Sequence, residues 1–421
     1  MHRRRPISTN SRNRLRQNAC SANHVGELLA CLMKIYFAPD TSDHPNWGCR
    51  VMGDWFRNEF ARIGHPYRWH TDSQWFYRQH PQLAQLQTIA DFRHYANEMK
   101  TGRILEDIAN VLRQCDLVFL NGENFIRPGT HKGRMLLFIA YVAKTVFNKP
   151  CVLSNNSIDL DEPELAEIAN EIYPLLDEVQ FREARSFALG SAITPPDRAR
   201  LIPDVAWAVP AAPLADWSAL ARRPGHFSAW PAKADNFNPT RPYITICASS
   251  IFSMPQYESI DIAPTFIRLC QRLNREVAPV VLTVPCVAEQ KIMRKVYAAL
   301  RLPVLGSNLP VRQAIDVIGN AAVHIGGRWH LSIFAATGGT PIIALSANTH
   351  KMHSLMQQLQ IDDPVFDALQ LTDHIDAIVS LAKRHIEAGT SLREKILQRS
   401  RELSAQVAGN MDFVRRCAET Q

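Results

Sequence analysis

The 421-residue sequence lacks any apolar stretch long enough for a membrane-spanning helix. Its longest uninterrupted apolar run, Met135–Ala143, is nine residues, against the ~20 that an α-helix needs to cross the hydrocarbon of a bilayer. Nine cysteines are present, but none forms a C-x-x-C pair, so the spacing fits neither a zinc site nor a disulfide framework. We therefore expect a reducing compartment and no bound metal.

Three common active-site motifs are also missing. The chain contains no G-x-G-x-x-G, no Walker A sequence and no H-E-x-x-H. Their absence removes the usual sequence evidence for a nicotinamide-dependent dehydrogenase, a P-loop NTPase or a zinc protease. The catalytic class must therefore be inferred from other residues.

Excess positive charge is scarce outside the first 32 residues. Six arginines against Glu27 give that segment a net charge of +5, out of +7 for the whole chain. The rest of the protein is nearly neutral, so the isoelectric point of about 9.0 does not indicate a broad nucleic-acid-binding surface. We interpret residues 1–32 as a basic, disordered head.

The chain does contain two successive alternations of short apolar strands and amphipathic helices. The first, in residues 33–210, has predicted strands at Lys34–Ala38, Leu117–Asn121, Pro150–Ser154 and Glu178–Phe181. The second, in residues 242–388, has predicted strands at Tyr243–Cys247, Val280–Val284, Ala322–Ile325 and Pro341–Leu345. This rhythm is typical of βαβ units and predicts two similar α/β domains with parallel sheets.

Two further segments join and follow these domains. Residues 211–241 are rich in proline, alanine and tryptophan without a helical or strand period, and we predict a linker or an inserted loop. Residues 389–421 contain a charged amphipathic helix, predicted over Ser391–Cys417, that can pack back on the first domain. Ligands of such folds bind at the carboxyl ends of the strands, so the predicted site is the cleft between the domains.

The most informative stretch is His324–His330, which follows a predicted strand and opens a helix. Glycines at 326 and 327 let the backbone approach a ligand, and the helix beyond them offers free N–H groups at its positive end. Arg328 adds a guanidinium fork that suits phosphate or carboxylate. The stretch therefore predicts an anion site with a titratable group, His330, beside it.

The run Gly327-Arg328-Trp329-His330, followed by Ala335–Leu345 and Lys351, resembles the signature of the polysaccharide pyruvyl transferases. Three other segments are similar to that family in the expected order: Asn46-Trp47-Gly48 with Gly53-Asp54, then Leu117–Glu123, then Phe181–Ser186 with Pro203-Asp204. Two positions depart from the family pattern. Trp329 replaces the usual leucine, and Cys49 stands where many members have aspartate.

This resemblance implies two Rossmann-like domains facing across a cleft in a GT-B-like arrangement. It also implies phosphoenolpyruvate as the donor, a cyclic pyruvate ketal on two hydroxyls of one sugar, and no cofactor. The expected partners are phosphoenolpyruvate and a glycan or lipid-linked sugar, and no nucleic acid. We expect a cytoplasmic protein whose basic head can contact the anionic inner face of the membrane when the acceptor is lipid-linked.

The same resemblance, taken with side-chain chemistry, assigns roles to individual residues. His330 is the expected proton-exchanging group, because imidazole titrates near neutrality. Glu123 and Asp54 are the other candidate acid–base residues. The expected substrate-binding residues are Arg328, Arg182, Lys351, Gly327, Trp329 and Asn46.

Two alternatives remain open on sequence grounds. The stretch around Arg328 also resembles the donor loop of heptosyl-type GT-B glycosyltransferases that use nucleotide sugars. That loop usually brings an acid to hold a ribose, and no acidic residue occurs from Asn320 to Gln360. The second alternative is a non-catalytic glycan-binding protein that retains the fold, which the departures at Trp329 and Cys49 favour.

Overall fold

The computed structural model describes residues 32–78, 81–83, 85–223, 238–257 and 259–420. The predicted basic head therefore lies outside the described residues, except for its last residue. The strands are β1 Ile35–Asp40, β2 Trp69–Asp72, β3 Leu117–Ile126, β4 Cys151–Ile158, β5 Glu178–Phe181, β6 Ala199–Leu201, β7 Ile244–Ser249, β8 Val280–Val284, β9 Val304–Gly306, β10 Val323–Gly327 and β11 Ile342–Ala344.

Helices connect almost all of these strands. They are α1 Trp47–Arg62, α2 Ser73–Tyr77, α3 Ile89–Lys100, α4 Glu106–Gln114, α5 His131–Thr145, α6 Pro163–Ile172, α7 Ala184–Ser191, α8 Leu214–Ala221, α9 Ala263–Glu276, α10 Val287–Leu300, α11 Val311–Gly319, α12 Trp329–Thr337, α13 Lys351–Leu359, α14 Leu371–Ser404 and α15 Asp412–Glu419.

The strands form two separate parallel sheets, one in each half of the chain. The first sheet has six strands in the order β2-β1-β3-β4-β5-β6, and the second has five in the order β11-β10-β7-β8-β9. Strands β1, β4, β7, β8 and β10 are buried along their whole length, as expected where helices cover both faces of a parallel sheet. The predicted α/β class with two Rossmann-like domains is confirmed.

The two domains pack against each other. One continuous cluster of buried apolar side chains includes Phe37 and Trp47 from the first half of the chain and Trp329 and Ile342 from the second. Helices α1 and α12 contribute to this cluster, and their N-termini point to the carboxyl ends of the sheets. Packed elements of both domains therefore frame the cleft between them.

The structure corrects two predictions about connecting segments. Residues 211–241, predicted as a linker or loop, include helix α8, whose Trp217 is buried and donates its indole N–H to the carbonyl of Pro239 at 2.8 Å. Residues 224–237 of that segment lie outside the described residues. The eight-residue helix was missed because its apolar pattern is too short to show a period.

The C-terminal helix predicted over Ser391–Cys417 is wrong in its extent. Helix α14 starts twenty residues earlier, bends at Gly389 (φ 58°, ψ −133°) and ends at Ser404. A 3-10 turn over Val407–Met411 then separates it from α15. Asn410 in that turn donates to the carbonyls of Pro203 and Val407 and contacts Ser154 Oγ at 3.0 Å. Its side chain therefore attaches the terminal segment to the first domain at the point where the predicted helix is interrupted.

In the part of the chain that the structure describes, no helix is both long and apolar enough to cross a membrane.

Candidate active site

A cavity of about 430 Å³ lies between the domains, at the carboxyl ends of both sheets. Both halves of the chain line it, and the lining is rich in cations. The first domain contributes Asn46, Cys49, Glu123, Arg127, Lys132 and Arg182, and the second contributes Ser253, Cys286, Arg328, Trp329, His330 and Lys351. The structure thus brings together most of the residues singled out from the sequence.

The glycine pair before Arg328 is required by close packing. A Cβ at Gly327 would lie 2.5 Å from Ser249 Oγ and 2.8 Å from the carbonyl oxygen of Ser346, so a side chain has no room there. The chain then passes directly into α12, with Arg328 as its N-cap residue. This local geometry presents the Arg328 side chain and the first turn of α12 to the cavity.

The Arg328 guanidinium is held by an acidic partner behind the cavity wall. Its Nε donates to the carboxylate of the buried Glu289, and Nη2 lies 3.4 Å from Ser253 Oγ. Burial alone would lower the pKa of Arg328, but the Glu289 charge outweighs it and raises that pKa. Arg328 therefore remains a fixed cation whose remaining N–H groups can receive an anionic ligand.

A buried arginine, Arg182, reaches the cavity from the first domain. Arg182 Nη1 donates to Asp204 Oδ2 at 2.8 Å, and Nε donates to Ser157 Oγ at 2.8 Å. The guanidinium also lies 5.4 Å from the ring centroid of Trp329, in the cation–π range. Trp329 thus contacts the first domain although it belongs to the second.

His330 lies in the first turn of α12, between Asp204 and helix α1. Its Nε2 is 3.4 Å from Asp204 Oδ2. A Cβ at Gly48 would lie only 2.1 Å from its Nδ1, so the absence of a side chain at Gly48 makes room for the imidazole. Burial alone would raise the pKa of Asp204, but the charges of His330 and Arg182 hold it well below the usual range.

Glu123 faces the cavity from an irregular point in β3. Its backbone is left-handed (φ 45°), and the pairing of β3 with β4 shifts between Glu123 and Ile126. Cys49 Sγ donates to Glu123 Oε2 at 3.3 Å. Burial raises the pKa of Glu123, and the nearby His330 and Arg182 oppose that rise only in part. The carboxyl group is therefore suited to exchanging a proton above the ordinary range of a glutamate.

Lysines complete the positive lining. Lys351, the first residue of α13, donates from Nζ to Asn348 Oδ1 at 2.7 Å, and burial together with Arg328 and Arg182 lowers its pKa. Lys132 follows β3 and has its pKa lowered by burial to about 8. Lys132 and Arg127 were missed in the sequence, although their position just beyond the carboxyl end of a central strand is a usable signal.

Asp54 and Asn46 differ from their expected positions or roles. Asp54 is on the exposed side of α1 and does not line the cavity, because eight residues of helix, roughly 12 Å, separate it from the lining residue Asn46. Asn46 itself caps α1, and its Oδ1 accepts the Gly48 N–H at 2.9 Å. Asp54 therefore lies apart from the other candidate site residues. Asn46 lines the cavity, but its side-chain oxygen is already engaged in capping α1.

Glu183 of the first domain forms polar contacts with residues of the second domain. Its carboxylate accepts backbone N–H bonds from Arg185 and Ser186 at the start of α7, and it contacts His350 Nε2 at 3.1 Å and Ser354 Oγ at 2.8 Å. Burial would raise the pKa of Glu183, but the bonds from His350 and Ser186 lower it to about 2. This contact holds α13 against α7.

The low pKa of Glu183 gives a pH-dependent stability prediction. A carboxyl group whose pKa falls from its ordinary 4.5 to about 2 on folding stabilises the folded state above pH 4.5, and that contribution disappears as the pH falls toward 2. We expect Glu183→Gln to cost about 3 kcal/mol of stability at pH 7. Melting curves at pH 7 and in acid should show that the difference in melting temperature between Glu183→Gln and wild type becomes smaller below pH 4.5. As a control, a Gln variant of the exposed Glu167 should match wild type at every pH. A difference in melting temperature that stays constant with pH would contradict a stabilising role for the Glu183 carboxylate.

Among the described residues, no group of three or more histidine, cysteine, aspartate or glutamate side chains is arranged to hold a metal ion.

Comparison with known families gives one match that covers most of the chain. The family model described as polysaccharide pyruvyl transferase matches residues 50–349, which include Glu123, Arg182, Asp204 and His330 but end before Lys351. No curated protein matches the sequence significantly.

Solved structures share the architecture at low sequence identity. They include a protein described as a UDP-N-acetylglucosamine 2-epimerase from Listeria monocytogenes (TM-score 0.57, 11% identity, 92% of this chain and 97% of that one). A UDP-GlcNAc 2-epimerase from Neisseria meningitidis has a TM-score of 0.54 at 8% identity, covering 93% and 100% of the two chains. An α,α-trehalose-phosphate synthase (UDP-forming) from Burkholderia vietnamiensis has a TM-score of 0.56 at 10% identity, covering 92% and 98%. These similarities show a GT-B-like fold, and at such identities they show the fold alone.

Proposed function

Because the chain belongs to the polysaccharide pyruvyl transferase family, we propose that it transfers the pyruvyl group of phosphoenolpyruvate to two hydroxyls of one sugar, forming a cyclic ketal on a glycan or glycan precursor. The observation that carries the proposal is the interdomain cavity, which Arg182, Arg328 and Lys351 line together with His330. Family membership supports a glycan-modifying transferase, and the charges of this cavity support the donor.

Phosphoenolpyruvate carries two anionic groups, a phosphate and a carboxylate, on a three-carbon skeleton. The cavity offers a guanidinium from each domain, Arg182 from the first and Arg328 from the second, and the amine of Lys351, whose pKa burial lowers. A guanidinium can bind either anion in a two-point geometry, whereas an ammonium acts as a point charge. Lys351, beside Asn348 at the start of α13, is placed to offset phosphate charge.

The reaction needs one proton on carbon and the removal of two hydroxyl protons. We infer that His330 protonates the methylene carbon of the enol, which leaves a cationic centre at the carbon that bears the phosphate ester. A sugar hydroxyl adds to that centre and loses its proton. The second hydroxyl then adds as the carbon–oxygen bond to phosphate breaks, and its proton leaves with phosphate or with a protein base. One phosphate is released for each ketal formed.

Glu123 is the best-placed base for a hydroxyl proton. It lines the same cavity as His330, and its raised pKa makes the carboxylate a stronger base than an exposed glutamate. It comes from the first domain, opposite the Arg328 side of the cavity. We therefore place the acceptor sugar beside Glu123, and the anionic groups of the donor against Arg328 and Arg182.

Calorimetric titration tests the donor. Phosphoenolpyruvate, UDP-glucose and UDP-N-acetylglucosamine are titrated separately into the purified protein, with inorganic phosphate as a control for simple anion binding. We expect saturable binding of phosphoenolpyruvate that is tighter than that of phosphate. Binding of a UDP-sugar alone would favour a nucleotide-sugar glycosyltransferase, and silence with all donors would favour a glycan-binding protein.

A further inference from the structure

One oxygen atom of Asp204 connects the two domains at the candidate active site. Asp204 is completely buried, and its Oδ2 accepts a 2.8 Å bond from Arg182 of its own domain. The same oxygen accepts a 3.0 Å bond from the indole Nε1 of Trp329 and lies 3.4 Å from His330 Nε2, both in the other domain. The second oxygen, Oδ1, accepts the backbone N–H of Ala206 at 2.8 Å, which fixes the orientation of the carboxylate.

The bond from Trp329 depends on a residue that departs from the family pattern. A leucine at this position has no donor to give to Asp204. The indole instead adds a neutral hydrogen bond, and its ring covers the Arg182 guanidinium. Trp329 therefore holds the first turn of α12, and with it the adjacent His330, at a fixed distance from the carboxylate.

Asp204 also determines which imidazole nitrogen of His330 carries the proton. The buried ring nitrogen that faces the carboxylate makes no hydrogen bond of standard geometry, but a lone pair there would be repelled by the negative charge 3.4 Å away. The nitrogen on that side is therefore the N–H nitrogen of the neutral ring. That nitrogen is Nε2. The lone pair is then on Nδ1, which lies against Gly48 in the first turn of α1. Asn46 and Cys49, which flank Gly48 in sequence, line the cavity together with His330.

We propose that Asp204 and Trp329 are positioning residues that hold His330 with its first proton on Nε2, so that Nδ1 is the nitrogen that takes up the second proton of the imidazolium and delivers it to the substrate. The proposal rests on the proposed function for the identity of the reaction, but the tautomer itself is a property of the substrate-free protein. Carboxylate–imidazole pairs fix ring orientation and tautomer in this way in other enzymes. The complete burial of Asp204 leaves no path for a substrate to the Nε2 side.

The tautomer is measured directly by ¹⁵N NMR of protein with ¹⁵N-labelled histidine rings, in alkaline buffer where imidazoles are neutral. The His330 signals are assigned by their loss in His330→Gln. We expect a protonated, pyrrole-type Nε2 and an unprotonated, pyridine-type Nδ1. The reverse pattern, or rapid averaging of the two forms in the wild type, would overturn the proposal.

Trp329→Phe separates positioning from packing, because phenylalanine keeps an aromatic ring over Arg182 and loses only the indole N–H. We expect averaging of the two ring nitrogen signals and a kcat reduced about 10-fold, toward the lower end of the usual cost of losing such a partner, with KM for phosphoenolpyruvate nearly unchanged. Trp217→Phe is the matched control, since it also loses an indole hydrogen bond but lies outside the cavity lining. A Trp329→Phe protein that only melts earlier, with an unchanged tautomer and kcat, would show that Trp329 is merely structural and refute the proposal.

The two proposals fail in different ways. The protein could show an ordered Nε2–H tautomer that Trp329→Phe disturbs and yet not bind phosphoenolpyruvate. That result would support the positioning of His330 and refute phosphoenolpyruvate as the donor. Turnover of phosphoenolpyruvate by a protein with the opposite tautomer would support the reaction and refute the positioning.

Discussion

Replacing His330 with glutamine is expected to reduce turnover by ~10²–10⁴-fold, the usual contribution of acid–base catalysis, while phosphoenolpyruvate affinity stays within a few fold. Glutamine is similar in length and still forms hydrogen bonds, so it can occupy the space between Asp204 and Gly48. It cannot deliver a proton to carbon. The measurement is kcat from phosphate release, together with Kd for the donor from calorimetry.

The control for this variant is His353→Gln, which changes an exposed histidine on α13 and should behave as wild type. Melting curves establish that both variants are folded. Full turnover in His330→Gln would show that the imidazole is structural. The proton donor would then have to be Glu123, because Asp54 is on the exposed side of α1.

Replacing Arg328 with lysine is expected to weaken phosphoenolpyruvate binding by roughly 10–150-fold, corresponding to the ~1.5–3 kcal/mol of a charge-assisted hydrogen bond. Lysine keeps a positive charge beside the buried Glu289, so the fold does not acquire an unpaired carboxylate. Lysine lacks the planar guanidinium, which binds Glu289 through one N–H group and offers its other N–H groups to the donor. The loss should appear in Kd and KM more than in kcat at saturating donor.

A matched substitution of another arginine separates this effect from a general loss of guanidinium contacts. Arg312 on α11 donates through Nε and Nη2 to the carboxylate of Asp316 and is outside the cavity lining. Arg312→Lys should leave donor binding unchanged. If Arg328→Lys also binds phosphoenolpyruvate as wild type does, the anion is held elsewhere, and Arg182 and Lys351 become the principal candidates.

The strands of both domains were predictable because parallel strands buried on both faces appear as short apolar runs. Strands β5 and β8 have the predicted ends, and β10 differs from its prediction by one residue at its start and two at its end. The short edge strands β2, β6 and β9 were missed. They carry few buried residues, so their apolar pattern is weak.

The candidate site was predictable only where one local segment contains the chemistry. Gly327, Arg328 and His330 lie together in the chain; the structure places Arg328 and His330 in the cavity lining and buries Gly327 beside them, against Ser249 and Ser346. The partners that hold them are Glu289 and Asp204, each distant in sequence, and no local pattern reveals such contacts. Asp54 shows the converse error, since nearness to a motif in the chain does not place a residue on the same side of a helix.

Trp329 illustrates why a departure from a family pattern cannot be interpreted from sequence alone. Its replacement of leucine favoured a non-catalytic protein. In the structure its indole N–H is donated to Asp204, the same carboxylate that lies beside His330. The tryptophan therefore contributes an interdomain hydrogen bond at the site.

The most direct test of the proposed function is to follow the donor carbon into product. The protein is incubated with phosphoenolpyruvate labelled with ¹³C at carbon 2 and with a panel of glycans and sugar precursors, and the ¹³C spectrum and released phosphate are recorded together. We predict that the label appears as a ketal carbon bonded to two oxygens of one sugar, with one phosphate released for each ketal. Unconsumed phosphoenolpyruvate, in a protein that instead releases UDP from a UDP-sugar in the presence of the same acceptors, would contradict the proposed function.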